Sequence, residues 1–172
     1  MLGELITSKT RLRLLIKFFI SQTNKGYLNG LAHEMGESTN SIRKELNHLF
    51  DAGYLLKYKN NNKVEYKVNA KHPLYETLRK AVLKHLGFED LVDTVLKRMG
   101  NVEKILIFGD YAKGVDSGNI EVILVGKNLN FNYISQLESK IENLINRKVS
   151  FFLTSNVPKN SESITLFEKE LI

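Results

Sequence analysis

The chain has 172 residues, no cysteine and a net charge of +6, with 42% hydrophobic and 26% charged residues. That length allows one domain or two small ones, and the composition is that of a globular protein able to bury a core. Disulfides and thiolate metal sites are excluded, and the longest apolar run, Leu12 to Ile20, is too short and too charged at Arg13 and Lys17 to cross a bilayer. No cleavage site follows that run, so a cytoplasmic address with no membrane partner is expected. The charge is uneven. Residues 1–71 hold 12 basic and 6 acidic side chains, whereas residues 101–172 hold 8 and 9. The N-terminal part therefore carries the surface a phosphate backbone would attract, the alternative being a solvated lysine-rich surface.

In residues 9–21, Leu12, Leu15, Ile16, Phe19 and Ile20 form a helical stripe with basic residues between. A second helix is expected from Leu28 to Met35, closed by Gly36 as a left-handed cap. Ser38 and Thr39 can cap a third helix, whose buried stripe is Ile42, Leu46 and Leu49. Thr39, Asn40, Arg43, Lys44 and Asn47 are left facing outward, short polar and basic groups suited to base edges and phosphates. The following LLKYKNNNKVEYKVNA reads as two strands around Asn60-Asn61-Asn62, since asparagine tolerates positive φ in a hairpin turn. Lys57, Lys59, Lys63 and Lys67 decorate it.

Helix, tight glycine turn, helix is the arrangement that lays its second helix in a major groove. The spacing Ala32, Gly36, Ile42, Leu46, Leu49, Gly53, with the ending Asp51-Ala52-Gly53-Tyr54-Leu55, resembles ArsR- and MarR-like winged-helix regulators over about residues 9–70. The resemblance implies double-stranded DNA as partner. The expected contacts are Ser38, Thr39, Asn40, Arg43, Lys44 and Asn47 on the helix and Lys57, Lys59, Asn61 and Lys63 on the wing. The alternative is a three-helix unit and hairpin used for protein contacts.

His72-Pro73 breaks the last strand and opens a helix with Leu74, Tyr75, Leu78, Val82 and Leu86, ended by Gly87. Another helix is expected from Phe88 to Met99, with Leu91, Val92, Val95 and Leu96 on one side. The first of these is expected to extend the winged helix and supply the contact of a homodimer, because two-fold DNA sites usually go with two-fold proteins. A linker packed on its own domain is the alternative.

From Glu103 the pattern is strand, glycine loop, strand, helix from about Asn132 to Asn146, and strand from Lys148 to Thr154. The motif FGDYAKGVDSGNIEVILV and the order of elements resemble the minimal nucleotidyltransferases of the DNA polymerase β superfamily. The resemblance implies nucleotide contacts at Gly109, Asp110, Lys113, Gly114, Asn119 and Glu121. Gly109 and Ala112-Lys113-Gly114 keep most of the family's glycine loop, but Asp110 replaces its serine and Lys113 its arginine. Asn119 and Glu121 stand where it has paired aspartates, and Ser150 where the third aspartate would fall. Two-metal transfer needs anionic ligands, so no catalytic residue, metal or cofactor is expected, with Asp110 and Asp116 on the loop the remaining substitutes. His33, His48, His72 and His85 lack paired spacing and read as surface or packing residues. Glu162 to Ile172 reads as a terminal helix docked on a partner or on the chain's own sheet.

The expected fold class is α+β: a winged helix-turn-helix at 1–71, a helical connector at 72–100 and a small nucleotidyltransferase-like α/β domain at 101–172. The function expected is DNA-binding transcriptional regulation, with an inactive C-terminal domain that takes a nucleotide, a protein or nothing. The alternatives are active metal-dependent nucleotidyl transfer and an antitoxin-like protein-interaction module.

Overall fold

The structure is a computed structural model that describes residues 2–159 and 162–170. It is mixed α/β, with seven α-helices and two sheets among the described residues, and the chain divides into two compact units, Met1–Val82 and Leu83–Ile172. The division falls inside a helix, so residues 72–100, expected as a connector, are shared between the units. No helix among the described residues is long and apolar enough to cross a membrane.

In the first unit a short helix, α1 (Leu2–Leu5), precedes α2 (Lys9–Phe19), α3 (Leu28–Met35) and α4 (Thr39–Asp51). The expected caps are present. Ser38 Oγ accepts from the Ser41 amide at 3.1 Å, and Gly36 sits at φ 62° with its N–H on Ala32 and His33 carbonyls. Leu14, Phe18, Phe19, Ile20, Leu31, Ile42 and Leu46 are almost wholly buried, each stabilising the unit by roughly 1.5–3 kcal/mol through lost water contact. The hairpin forms as read, β2 (Leu55–Asn60) against β3 (Lys63–Val68), turning through Asn61 and Asn62 at φ 46° and 63°. A strand the pattern did not reveal, β1 (Lys25–Tyr27), adds to β3, giving the order β1-β3-β2. At three residues it is too short to show a period.

Helix α5 (Tyr75–His85) begins one residue later than its apolar pattern suggested. Leu74 is exposed, while Tyr75 is fully buried and stacks on Phe19 with ring centroids 5.7 Å apart. In the second unit, α6 (Phe88–Arg98), β4 (Asn101–Phe108), β5 (Asn119–Lys127), α7 (Ile134–Ile145), β6 (Lys148–Thr154) and β7 (Ile164–Glu168) form a sheet of order β6-β5-β4-β7. β4 and β5 are antiparallel, and β5 and β6 are parallel across the α7 crossover. Ile120, Val122 and Leu124 of β5 and Ile105 and Ile107 of β4 are fully buried on alternate positions. The expected terminal helix is instead β7, antiparallel to β4 from Ile164 to Glu168; Leu171 and Ile172 lie outside the described residues. The pattern misled because Leu166 sits at a register shift, which breaks the alternation that marks a strand.

The outer edge of β6 is closed by α7. The Val149 amide donates to Glu142 Oε1 at 3.0 Å and the Phe151 amide to Glu138 Oε1 at 3.1 Å, one helical turn apart. Edge amides left free would invite pairing with another chain. Replacing both acids (Glu138→Ala with Glu142→Ala) is therefore expected to lower stability by about 1–3 kcal/mol and to increase self-association. Denaturant melts and light scattering would read the two effects, and unchanged values for both would contradict this role.

Candidate functional site

Helix α4 presents two opposed faces. Ile42, Glu45, Leu46 and Leu49 are buried; Thr39, Asn40, Arg43, Lys44 and Asn47 are exposed, as is Ser38 at its cap. The buried face is pinned by charge as well as packing. Glu45, 6% exposed, accepts from Ser8 Oγ at 2.9 Å and from Arg11 Nε at 2.7 Å, both from the start of α2. Burial works to neutralise that carboxyl, but the Arg11 and Ser8 hydrogen bonds outweigh it and hold its pKa below the usual value. Further along α2, Arg13 reaches the Met35 carbonyl and Glu37, and the buried Lys17 pairs with both oxygens of Glu34 at 2.9 and 3.0 Å.

The wing has its own anchor. Glu65, buried in β3, accepts from Tyr27 Oη at 2.7 Å and pairs with Lys25 at 3.3 Å, while Asn60 donates to the same tyrosine oxygen. Lys57, Lys59, Asn61 and Lys63 are exposed. Lys57 Nζ sits 3.9 Å from the Phe50 ring centroid and Lys63 Nζ 5.8 Å from that of Tyr27. The sequence had no means of showing these aromatic seats, which hold two of the wing cations beside the sheet.

In the second unit the expected nucleotide residues lie where the chain turns from β4 to β5. Phe108, Glu121 and Ser150 stand in one row across β4, β5 and β6, so Gly109, Glu121 and Ser150 are brought together. Gly109 has φ 67°, and any Cβ there would overlap Glu121 Oε2. The carboxylate thus covers the glycine turn. Asp110 and Lys113 are exposed on the loop, Gly114 is buried with φ 80°, and Asn119 is exposed at the start of β5 beside Lys148.

Asp116, a possible substitute ligand by sequence, is occupied. Arg147 grips it with Nε to Oδ1 at 3.0 Å and Nη2 to Oδ2 at 2.7 Å, a two-point guanidinium–carboxylate contact. The hydroxyl of Tyr111, fully buried within the polar loop, donates to the same carboxylate and accepts from the Gly118 amide at 3.0 Å. Burial first, and then Asp116, push the Tyr111 phenol well above its ordinary pKa. Nearby, burial and the Arg147 charge hold His85 below its ordinary value, and its Nδ1 has no hydrogen-bond partner among the described residues. Sequence reasoning missed Tyr111 and Arg147. An aromatic in the middle of a glycine loop was the available signal. Among the described residues, no three histidine, aspartate or glutamate side chains converge where a metal ion could be held.

No protein-family model matches this chain, and no curated protein does. Two solved structures are similar to it. Reduced HlyU from Vibrio cholerae is 16% identical with a TM-score of 0.38, the match covering 48% of this chain and 82% of that one. The AntR antimony-specific transcriptional repressor is 20% identical with a TM-score of 0.39, covering 52% of this chain and 77% of that one.

The Asp116 cluster makes stability depend on pH. Burial disfavours its charge, but Arg147 and Tyr111 more than offset this and its folded pKa lies below the ordinary value. The contribution is therefore present above the unfolded value of about 3.9 and is lost as pH falls through the lower folded value. Asp116→Asn should melt earlier than the native chain at neutral pH, by about 1–3 kcal/mol, and the gap should close below about pH 4. A gap that persists at low pH would show that the carboxylate's charge is not what counts.

Proposed function

We propose that the first unit binds duplex DNA as a winged-helix transcriptional regulator. The observation that carries this reading is the exposed face of α4, whose polar and basic side chains lie opposite a face pinned to α2. A base-reading helix needs donors and acceptors free of internal partners on a support that does not move. Lys59 on β2 makes no ion pair among the described residues, and Lys57 and Lys63 are held beside the sheet, so the wing presents cations for the phosphate backbone. The acting form is a homodimer on a two-fold site, and sedimentation of the DNA complex as one chain per duplex would refute that part.

The test is a fluorescence titration of mixed-sequence duplex at several salt concentrations. Affinity on the order of 10⁻⁴–10⁻⁶ M at physiological salt, falling steeply as salt rises, is expected. Lys59→Gln should weaken all duplexes alike and flatten the salt slope by about 0.9 for each copy in the dimer. No salt-dependent affinity for any duplex would sink the reading.

The second unit belongs to this proposal as a nucleotidyltransferase-like scaffold without transfer activity. Support comes from the strand arrangement, with antiparallel β4–β5 joined by a glycine loop and parallel β5–β6 across a helix. The loss of activity follows from charge. Asn119 and Ser150 are neutral, Asp116 is bound to Arg147, and Glu121 lies over Gly109, where a phosphate would have to approach. Incubation with Mg²⁺ and labelled nucleoside triphosphates should leave the chain and its partners unlabelled. Label transfer abolished by Glu121→Gln would establish the opposite.

A further inference from the structure

We propose that Arg43 selects a guanine in the DNA that α4 meets, with Asn40 holding its guanidinium for the contact. The inference rests on the DNA-binding reading above. Both residues are exposed in the first half of α4, the part of a recognition helix that reaches base edges. Arg43 Nη1 donates to Asn40 Oδ1 at 3.0 Å. The two are three residues apart on one helix face, so the bond restrains a side chain that would otherwise sample many rotamers.

The two arginines of α2 are committed to partners within the unit. Arg11 is committed to Glu45, and Arg13 to Glu37 and the Met35 carbonyl. Among the described residues, the side-chain partner of Arg43 is the neutral Asn40, so its charge is not spent on an ion pair. Its charge also reaches Tyr66 of β3, where burial raises the phenol's pKa and Arg43 opposes it.

A guanidinium carries five donors and no acceptor, and Asn40 engages one of them, leaving the Nη2 side free. Guanine offers two acceptors, O6 and N7, along its major-groove edge. Adenine places an amino donor beside its N7, which a donor-only group cannot satisfy. Asn40 Oδ1 commits one of its two lone pairs to holding the Arg43 guanidinium. Asn40 is thus a positioning residue and Arg43 the reader.

The experiment uses the full chain and a duplex library with a randomised segment, selected by binding and sequenced. The native protein should enrich sequences with a fixed guanine. Replacing that guanine by adenine or 7-deazaguanine should weaken binding about tenfold or more. Arg43→Lys keeps the charge but loses the planar fork, so its salt slope should match the native one while the guanine preference shrinks. Asn40→Ala should shrink the preference and leave the salt slope unchanged. Native-like melting of both variants would confirm that they fold. Duplex binding without an enriched guanine, or the same preference retained by Arg43→Lys, would overturn the inference while leaving the DNA reading intact. Failure of the native chain to bind any duplex would remove both.

Discussion

A carboxylate taken out of water must find donors, and that requirement fixes α4 in this chain. Glu45 faces the interior, where an unpaired charge costs several kcal/mol, so Ser8 and Arg11 at the head of α2 have to meet it. The same helix then supplies Arg13 to the end of α3 and Lys17 to Glu34. Three turns of α2 are thus clamped to the helix-turn-helix by ionic contacts on top of the apolar core. These contacts change how the basic N-terminal charge should be weighed. Arg11, Arg13, Lys17 and Lys25 are each paired with an acid, so the basic excess rests on the cations that remain. Among those are Arg43 and Lys44 on α4 and Lys57, Lys59 and Lys63 of the hairpin, all exposed. The total charge says little about function until this division is made.

The second unit repeats the device with different parts. Asp116 on the glycine loop, Arg147 before β6 and Tyr111 beneath the loop form one hydrogen-bonded group that ties the start of β5 to the start of β6. Asp116 on the loop is paired with an arginine of its own chain, and Glu121 of β5 lies over Gly109. Acids that serve as internal anchors are not free to bind cations, and the stability they supply is a reason for the loop to keep them.

How much of this was legible in the sequence depended on the range of the interaction. Local rules worked: Ser38 as a cap, Gly36 as a left-handed stop, and two asparagines at positive φ between Asn60 and Lys63 each act within four residues. Strand β1 and the pairing of β7 with β4 are long-range and carry too few residues, or too irregular a register, to show a period. Leu166 and Phe167 beside each other look helical until the register shift between them and β4 is known. The exposed residues of α4 could be named because burial on a helix is periodic. The donors of Glu45 lie 34 and 37 positions away and could not.

The two halves of the chain therefore ask for opposite treatment of their polar residues. On α4 the exposed Thr39, Lys44 and Asn47 have no side-chain partner among the described residues, whereas Arg43 is bonded to Asn40 and His48 to Arg11; the first three keep their hydrogen-bonding capacity for another molecule. Around Gly109 the charged groups with the geometry for chemistry have internal partners or block the approach of an anion. Strand order alone does not carry function. The polar side chains left available lie on α4 and the hairpin of the first unit, while the glycine loop of the second is bridged by its own Asp116 and Arg147.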